Sequence, residues 1–479
     1  MENIKNFIWF ANNSNIEEDV SFLNLNLNWL KAQGIGIYWK SWVWKTFLVT
    51  SITTSLVKNS IEIQLTPLNT LEPDCYIMLD PHNSNIPLIL ELYKKMLDNN
   101  KWYSNESLSY LYSKNWKDNQ KVFFDWYTFH KKLIFNPIFS KELNNNLDRF
   151  DIFYNFIINW IKNYVWDFSA FWARNQSALE IVIKWYMLFN IENNNLWINK
   201  IYSLKDVYIF FDTLMQKIAF PWYISEEFKK LINSKNEKIR NMWNELYNGF
   251  KFILNNVKEN KLFYETAITK LSIFNQIWET LWHNISKEDL TLDFFELIAK
   301  KKIDIELHLF NLEDFSSIER KLIQGFLNSS AYIFWSLKNH LNKNLWYTYI
   351  FQDEFQSFLD LKGWKNYLIN ELEKITNEHR KKKVIFCLIF QFIVEELKEL
   401  LNNFWIHFIF ALPDYQARIF TTNLTNWIKW PLEITEKHIA NLGRGEFYAS
   451  IDTNTNWLCT IFWKSFNLND EKHTNLIIK

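Results

Sequence analysis

Scarcity of glycine constrains this chain more than any other feature: its 479 residues include 7 Gly and 25 Trp. Tight turns, helix C-caps and loops that close on a ligand need backbone at φ > 0, which glycine adopts freely and bulky residues adopt only under strain. Globular proteins carry roughly 7% Gly; here Gly and Trp together make up about 6.7% of the chain. Many Trp therefore stand where a fold of this size needs Gly. Two accounts are open. Either the gene belongs to a lineage that reads UGA as Gly and is decoded here with Trp, or the replacements are real and any loop built on them has lost its purpose.

The remaining composition is that of an ordinary folded protein. Hydrophobic residues at 48%, aromatics at 18% and charged residues at 22% supply ample core and exclude general disorder. Basic and acidic residues balance at 53 each, which excludes a uniformly basic nucleic-acid coat or an acidic tail. Cys75, Cys387 and Cys459 are far apart, with no C-x-x-C pair. Neither a disulfide framework nor a zinc site is indicated, and a reducing cytoplasm is expected. Residues 1–10 lack the basic and apolar regions of a signal peptide. The longest apolar run, 384–394, contains Gln391 and falls well short of the ~20 residues that cross a bilayer, so any membrane association would come through a partner.

Residues 33–38 (QGIGIY) form a short apolar strand candidate that enters a loop at 39–46 and then a helical run at 47–57. Residues 75–79 (CYIML) predict a second buried strand ending at Asp80-Pro81-His82. Further on, helical periodicity dominates, with capping-box signals at Ser203/Asp206 and Ser286/Asp289. Strand patterns return at 347–351, 384–390, 406–411 and 446–451, with a polar helix predicted over 365–383. Apolar strands alternating with helices predict an α/β fold with a mostly parallel sheet covered on both faces. The expected organisation is a core made of the two ends, 1–87 and 328–479, with an all-α insertion over 88–327.

The loop reads Trp39-Lys40-Ser41-Trp42-Val43-Trp44-Lys45-Thr46. With Gly at 39, 42 and 44 it becomes GKSGVGKT, the G-x-x-x-x-G-K-[S/T] phosphate-binding loop, in its required setting between strand and helix. A chance match of this kind is expected on the order of 10⁻³ times in such a composition. The chemistry needs Gly because successive backbone N–H groups wrap the phosphates and the ligand touches bare backbone. Indoles at these positions would fill the cradle, so the loop as written would not bind nucleotide. The other half of an ATPase is an apolar strand ending in acids, and 347–351 runs through Gln352 into Asp353-Glu354. Asp353 is the candidate Mg2+ holder, through water, and Glu354 the residue that activates the attacking water.

Together these residues resemble a family. Asp353-Glu354-Phe355-Gln356-Ser357-Phe358, Glu378-x-Arg380-Lys381, Gln391 after a strand, Asp80-Pro81-His82, and Gly443-Arg444-Gly445-Glu446-Phe447 before a strand are similar to the type IV secretion coupling proteins of conjugative DNA transfer. That family belongs to the FtsK/HerA-like, RecA-fold ATPases that pump DNA. The resemblance spans about residues 4–466, without the membrane-spanning N-terminal segment of many coupling proteins.

It implies a RecA-like P-loop NTPase core with the helical insertion between its two halves. ATP and Mg2+ would be bound, with Lys45 on the β and γ phosphates and Thr46 ligating magnesium beside Asp353. Gln391 would sense the γ-phosphate, and Arg380 would be an arginine finger offered to the next subunit. A finger in trans makes hydrolysis depend on assembly, and a head-to-tail interface that closes gives a ring. The expected function is ATP-driven DNA translocation by a homohexamer, cytoplasmic or peripheral at the inner face of the membrane, with secretion-channel or relaxase partners. Two alternatives stand beside it: a HerA-like helicase in DNA processing, and a nucleotide-free interaction protein whose P-loop is plugged by genuine Trp.

Overall fold

The computed structural model describes residues 34–38, 42–65, 73–99, 107–114, 128–140, 147–165, 173–259 except 199, 218 and 219, 292–299, 303–338, 347–356, 383–393, 404–427 except 405, 435–453 and 457–464, with a few isolated positions besides. In chain order the first elements are β1 (Ile35–Tyr38), α1 (Trp42–Gln64), β2 (Cys75–Asp80), α2 (Ile86–Asn99), β3 (Ser107–Ser113) and β4 (Thr128–Lys132). Next come α3 (Phe150–Val165), α4 (Ala173–Asn195), α5 (Leu204–Lys217), α6 (Trp222–Ile232), α7 (Glu237–Glu259), α8 (Phe294–Ala299), β5 (Ile305–Asn311) and α9 (Ser317–Lys338). The chain continues through β6 (Thr348–Gln352), β7 (Val384–Phe390), β8 (Ile406–Ile409), α10 (Asp414–Trp427), α11 (Glu436–Ala440), β9 (Glu446–Thr453) and β10 (Trp457–Lys464).

Among the described residues, the ten strands join one sheet in the order β10-β9-β8-β1-β7-β6-β2-β5-β3-β4. From β8 to β4 every pairing is parallel, whereas β9 pairs antiparallel with β8 and with β10. The chain is thus an α/β protein with a mostly parallel sheet, as the strand patterns predict. Its central strands are continuous apolar runs, and every residue of IGIY in β1 and VIFCLIF in β7 is buried. That is the pattern of strands covered on both faces.

Ile35, Ile37, Tyr76, Met78, Tyr349, Phe351, Ile389 and Phe408 share a core cluster with α1 (Leu48, Ile52, Leu56) and α2 (Ile89, Tyr93, Met96). Burying each such side chain contributes about 1.5–3 kcal/mol. α1 is buried along much of its length although it carries several hydroxyls. Two of these bond within the helix, Ser51 Oγ to Phe47 O (2.7 Å) and Thr53 Oγ1 to Val49 O (2.9 Å). Such i−4 bonds let a Ser/Thr-rich helix enter a core. At the end of β1, Tyr38 Oη lies 3.0 Å from His407 Nδ1, and His407 Nε2 lies 3.0 Å from Phe404 O. A carbonyl only accepts, so Nε2 carries the proton and Nδ1 accepts from the phenol. Burial lowers the His407 ring to about 4, against a weaker opposing effect of the Phe404 carbonyl.

The span expected to be wholly helical, 88–327, also supplies β3, β4 and β5 to the sheet. The compact units are 1–132 with 301–315 and 335–479, and 133–300 with 316–334. These strands escape a search for apolar runs because β3 (SLSYLYS) and β4 (TFHKK) are polar and alternate, while β5 (IELHLFN) carries Glu306 and His308. β9 is also not the last strand, since β10 follows it. The predicted helix over 365–383 and the Ser286/Asp289 box lie outside the described residues.

The helical unit contains Trp185 of α4, fully buried and edge-on to Phe210 and Phe228 at 5.9 and 5.2 Å. At the start of α5, Ser203 Oγ accepts the Lys205 N–H while the Ser203 backbone N–H donates to Asp206 Oδ2 at 2.7 Å. That reciprocal cap is the box read from the sequence.

α4 ends on a more telling feature. The Ile198 N–H donates to Asn193 O (2.8 Å) and the Trp197 N–H to Asn194 O (3.1 Å), with Trp197 at φ 59°. This pair of bonds is a Schellman C-cap, whose left-handed position is normally Gly. Trp197 is 82% exposed, so its indole gains little burial for the strained backbone. Trp197→Gly is expected to stabilise the chain by about 1 kcal/mol, read as a shift of the urea midpoint. An unchanged or lowered midpoint would show that this position does not need Gly. Among the described residues no helix is long and apolar enough to cross a membrane.

Candidate functional site

Parallel pairing brings several strand ends to one edge. Tyr38 of β1 is in register with Phe390 of β7, and Gln352 of β6 with both Leu388 of β7 and Leu79 of β2. Residues just past these ends therefore collect at the carboxyl edge, where ligands of open α/β sheets bind. The acid-bearing β6 is separated from β1 by β7 alone.

Lys45, in the first turns of α1, points its Nζ at Asp353 Oδ1, 2.5 Å away, with both side chains buried. Asp353 Oδ1 also accepts the Glu354 N–H (2.8 Å), and Oδ2 accepts from Asn85 Nδ2 (2.8 Å). Each of its oxygens is thus held by at least one donor, which a buried carboxylate requires. Thr46 is buried beside Lys45 in the chain.

The loop between β2 and α2 is organised by Asp80. Its Oδ1 accepts the His82 N–H (3.2 Å), and its Oδ2 accepts the N–H groups of Asn85 (2.6 Å) and Ile86 (3.1 Å) at the start of α2. A carboxylate suits that helix terminus because the first N–H groups lack intrahelical partners. Burial, then the neighbouring charge of Asp353, push the Asp80 carboxyl above its ordinary range, with the backbone bonds opposing.

Glu354 follows at φ 51°, in the left-handed region. An L-residue other than Gly pays of order 1–3 kcal/mol there and stays only where its surroundings hold it. They do: His82 Nε2 sits 2.5 Å from Glu354 Oε2, and Gln391 Nε2 donates to Oε1. The Gln391 N–H donates in turn to Gln356 Oε1 (3.1 Å). Glu354 is thereby clamped between the β2–α2 loop and the end of β7.

Lys45, Asp353, Glu354 and Gln391 thus form one hydrogen-bonded group, with Thr46 next to it. The backbone of Trp42, Val43 and Trp44 belongs to the start of α1, while their side chains, and all of Trp39, Lys40, Ser41 and Arg380, lie outside the described residues. Sequence reasoning missed Asn85 and placed His82 only as a loop residue. The available signal was an Asp at a strand end a few residues before a helix, which marks a loop folded around a carboxylate.

The group carries more buried acid than base. Asp80 and Asp353 are fully buried, Lys45 pairs with Asp353, and Glu354 adds a third carboxylate. Such an excess fits a divalent cation joining Thr46 and Asp353.

No family model matches the chain, and no curated protein matches it. Among solved structures it is similar to VirB4 of Thermoanaerobacter pseudethanolicus, at 13% identity over 98% of each chain with TM-score 0.49. It is also similar to the plasmid coupling protein TrwB in complex with the non-hydrolysable GTP analogue GDPNP (10% identity, 92% of this chain and 86% of that one, TM-score 0.46). TrwB in complex with ADP and Mg2+ gives 10% identity over 92% and 87% of the chains, with TM-score 0.45.

Proposed function

We propose that this chain is a P-loop ATPase that drives DNA through a homohexameric ring in the manner of conjugative coupling proteins. The observation that carries the reading is the buried Lys45–Asp353 pair at the carboxyl edge, with Glu354 clamped beside it. A lysine from the helix after β1 and an acid pair from a non-adjacent strand meet there, as phosphoryl transfer requires. The reading takes positions 39, 42 and 44 as Gly in the native polypeptide. Trp197 at a Schellman φ of 59° supports that, because it is a separate place where the backbone asks for Gly and the sequence has Trp.

Lys45 leaves Asp353 on nucleotide binding and places its ammonium on the β and γ phosphates. Thr46 and Asp353 would hold Mg2+, which neutralises charge on the phosphoryl oxygens when bound. Glu354 orients the attacking water and accepts its proton, a role that suits a carboxylate fixed at both oxygens. Gln391, which donates to Glu354, would report the γ-phosphate to the water-activating group. Arg380 would complete the site of the adjacent subunit. The protein would act in the cytoplasm or against the inner membrane face, beside secretion-channel or relaxase partners.

The test is the full chain carrying Trp39→Gly, Trp42→Gly and Trp44→Gly. It is expected to hydrolyse ATP with Mg2+, faster with DNA, and to sediment as a hexamer, whereas the chain with Trp is inactive. Absence of DNA-stimulated hydrolysis by the glycine form would overturn the assignment.

A further inference from the structure

At the other end of β2, three side chains of metal-binding type face one another. Cys75 opens β2 and is in register with Glu306 of β5, and His308 lies two residues beyond on the same face. Side chains at i and i+2 of a strand, and at paired positions of its neighbour, point the same way. One sulfur, one carboxylate oxygen and one imidazole nitrogen from these residues lie within 4.8 Å of one another. Cys75 and His308 are buried, and Glu306 is partly exposed, which leaves a route for an ion.

We propose that Cys75, Glu306 and His308 bind one Zn2+ ion, with solvent as the fourth ligand. Thiolate, imidazole and carboxylate are the zinc donors, and tetrahedral bonds of about 2.0–2.3 Å place the donor atoms about 3.3–3.8 Å apart.

His308 is also held as a ligand would be. Its Nδ1 is 3.0 Å from Tyr112 Oη while Nε2 faces Glu306 Oε2 at 2.9 Å, and Tyr110 and Tyr112 stack on the ring with centroids at 4.9 and 5.9 Å. A metal-bound imidazole donates its other N–H to such an oxygen, which fixes ring and tautomer. On binding, the Cys75 thiol releases its proton to solvent, the imidazole proton passes from Nε2 to Nδ1, where it donates to Tyr112 Oη, and Nε2 gives its lone pair to the ion. Without metal, Tyr112 donates to Nδ1 and Nε2–H donates to Glu306, an ordinary hydrogen-bonded chain. The ion would tie β2, which ends at Asp80 in the candidate active site, to β5. It is independent of nucleotide and of the reading of the Trp positions.

The test titrates the dialysed full chain with Co2+ as an optical probe. One equivalent is expected to produce a thiolate-to-cobalt charge-transfer band that Zn2+ displaces. Cys75→Ser should lose the band and Cys387→Ser, on another strand, should keep it. If the unsubstituted chain shows no such band the proposal fails, whatever the variants do. A band lost in Cys387→Ser and kept in Cys75→Ser overturns it equally.

Discussion

Lys45→Ala, in the chain with Gly at 39, 42 and 44, is expected to hydrolyse no ATP and to lose about 3 kcal/mol of stability. The kinetic loss follows from removing the ammonium that balances phosphate charge. The stability loss follows from the packing, since Asp353 is buried and would keep the donors Asn85 Nδ2 and Glu354 N–H but no cation. Breaking a buried pair from one side typically costs ~3–5 kcal/mol, and the remaining donors place this case at the low end. The double variant Lys45→Met/Asp353→Leu separates the two effects. It should recover stability to within about 1–2 kcal/mol, because both charges leave together, and still hydrolyse nothing. Urea denaturation with a parallel phosphate-release assay decides it. If Lys45→Ala is as stable as its parent, the ion pair is not buried.

Glu354→Gln is expected to reduce kcat by roughly 10²–10⁴-fold while nucleotide still binds, the usual contribution of a positioned general base. The side chain keeps its size and one acceptor oxygen but takes no proton. A comparison of Glu354→Ala with Glu354→Gly then tests the backbone. Both lose the contacts to His82 and Gln391, yet only Gly relieves φ 51°. The Gly variant should therefore be about 1 kcal/mol more stable than the Ala variant, the cost of the left-handed conformation for an L-residue. Equal urea midpoints would show that the turn is unstrained, and retained turnover in Glu354→Gln would remove the residue from the catalytic role.

The parts of this site that were legible in advance share one property. Asp353, Glu354 and Gln391 lie within three residues of the end of an apolar run and Lys45 follows β1 after one loop, and the exit of a buried strand is readable because continuous burial leaves a continuous apolar string. Asn85 gave no such signal, since its role depends on a loop wound around Asp80 and on Asp353 arriving from a distant strand. β3, β4 and β5 were hidden for the converse reason, as their polar alternation resembles loop or amphipathic helix until neighbours are known.

Local order along the chain determined the fold class, the apolar strands, the Ser203 cap and the phosphate-loop spacing, because each rests on residues within a few positions of one another. The shortage of Gly beside abundant Trp was equally plain there, but where it bites was not. Only the tertiary structure decided that Trp197 occupies a left-handed cap, that His82 and Gln391 hold Glu354 from two sides, and that Cys75 meets Glu306 and His308 across β2 and β5. Strand order joins segments hundreds of residues apart, and a register of paired strands is a property of the sheet that no single stretch of chain contains.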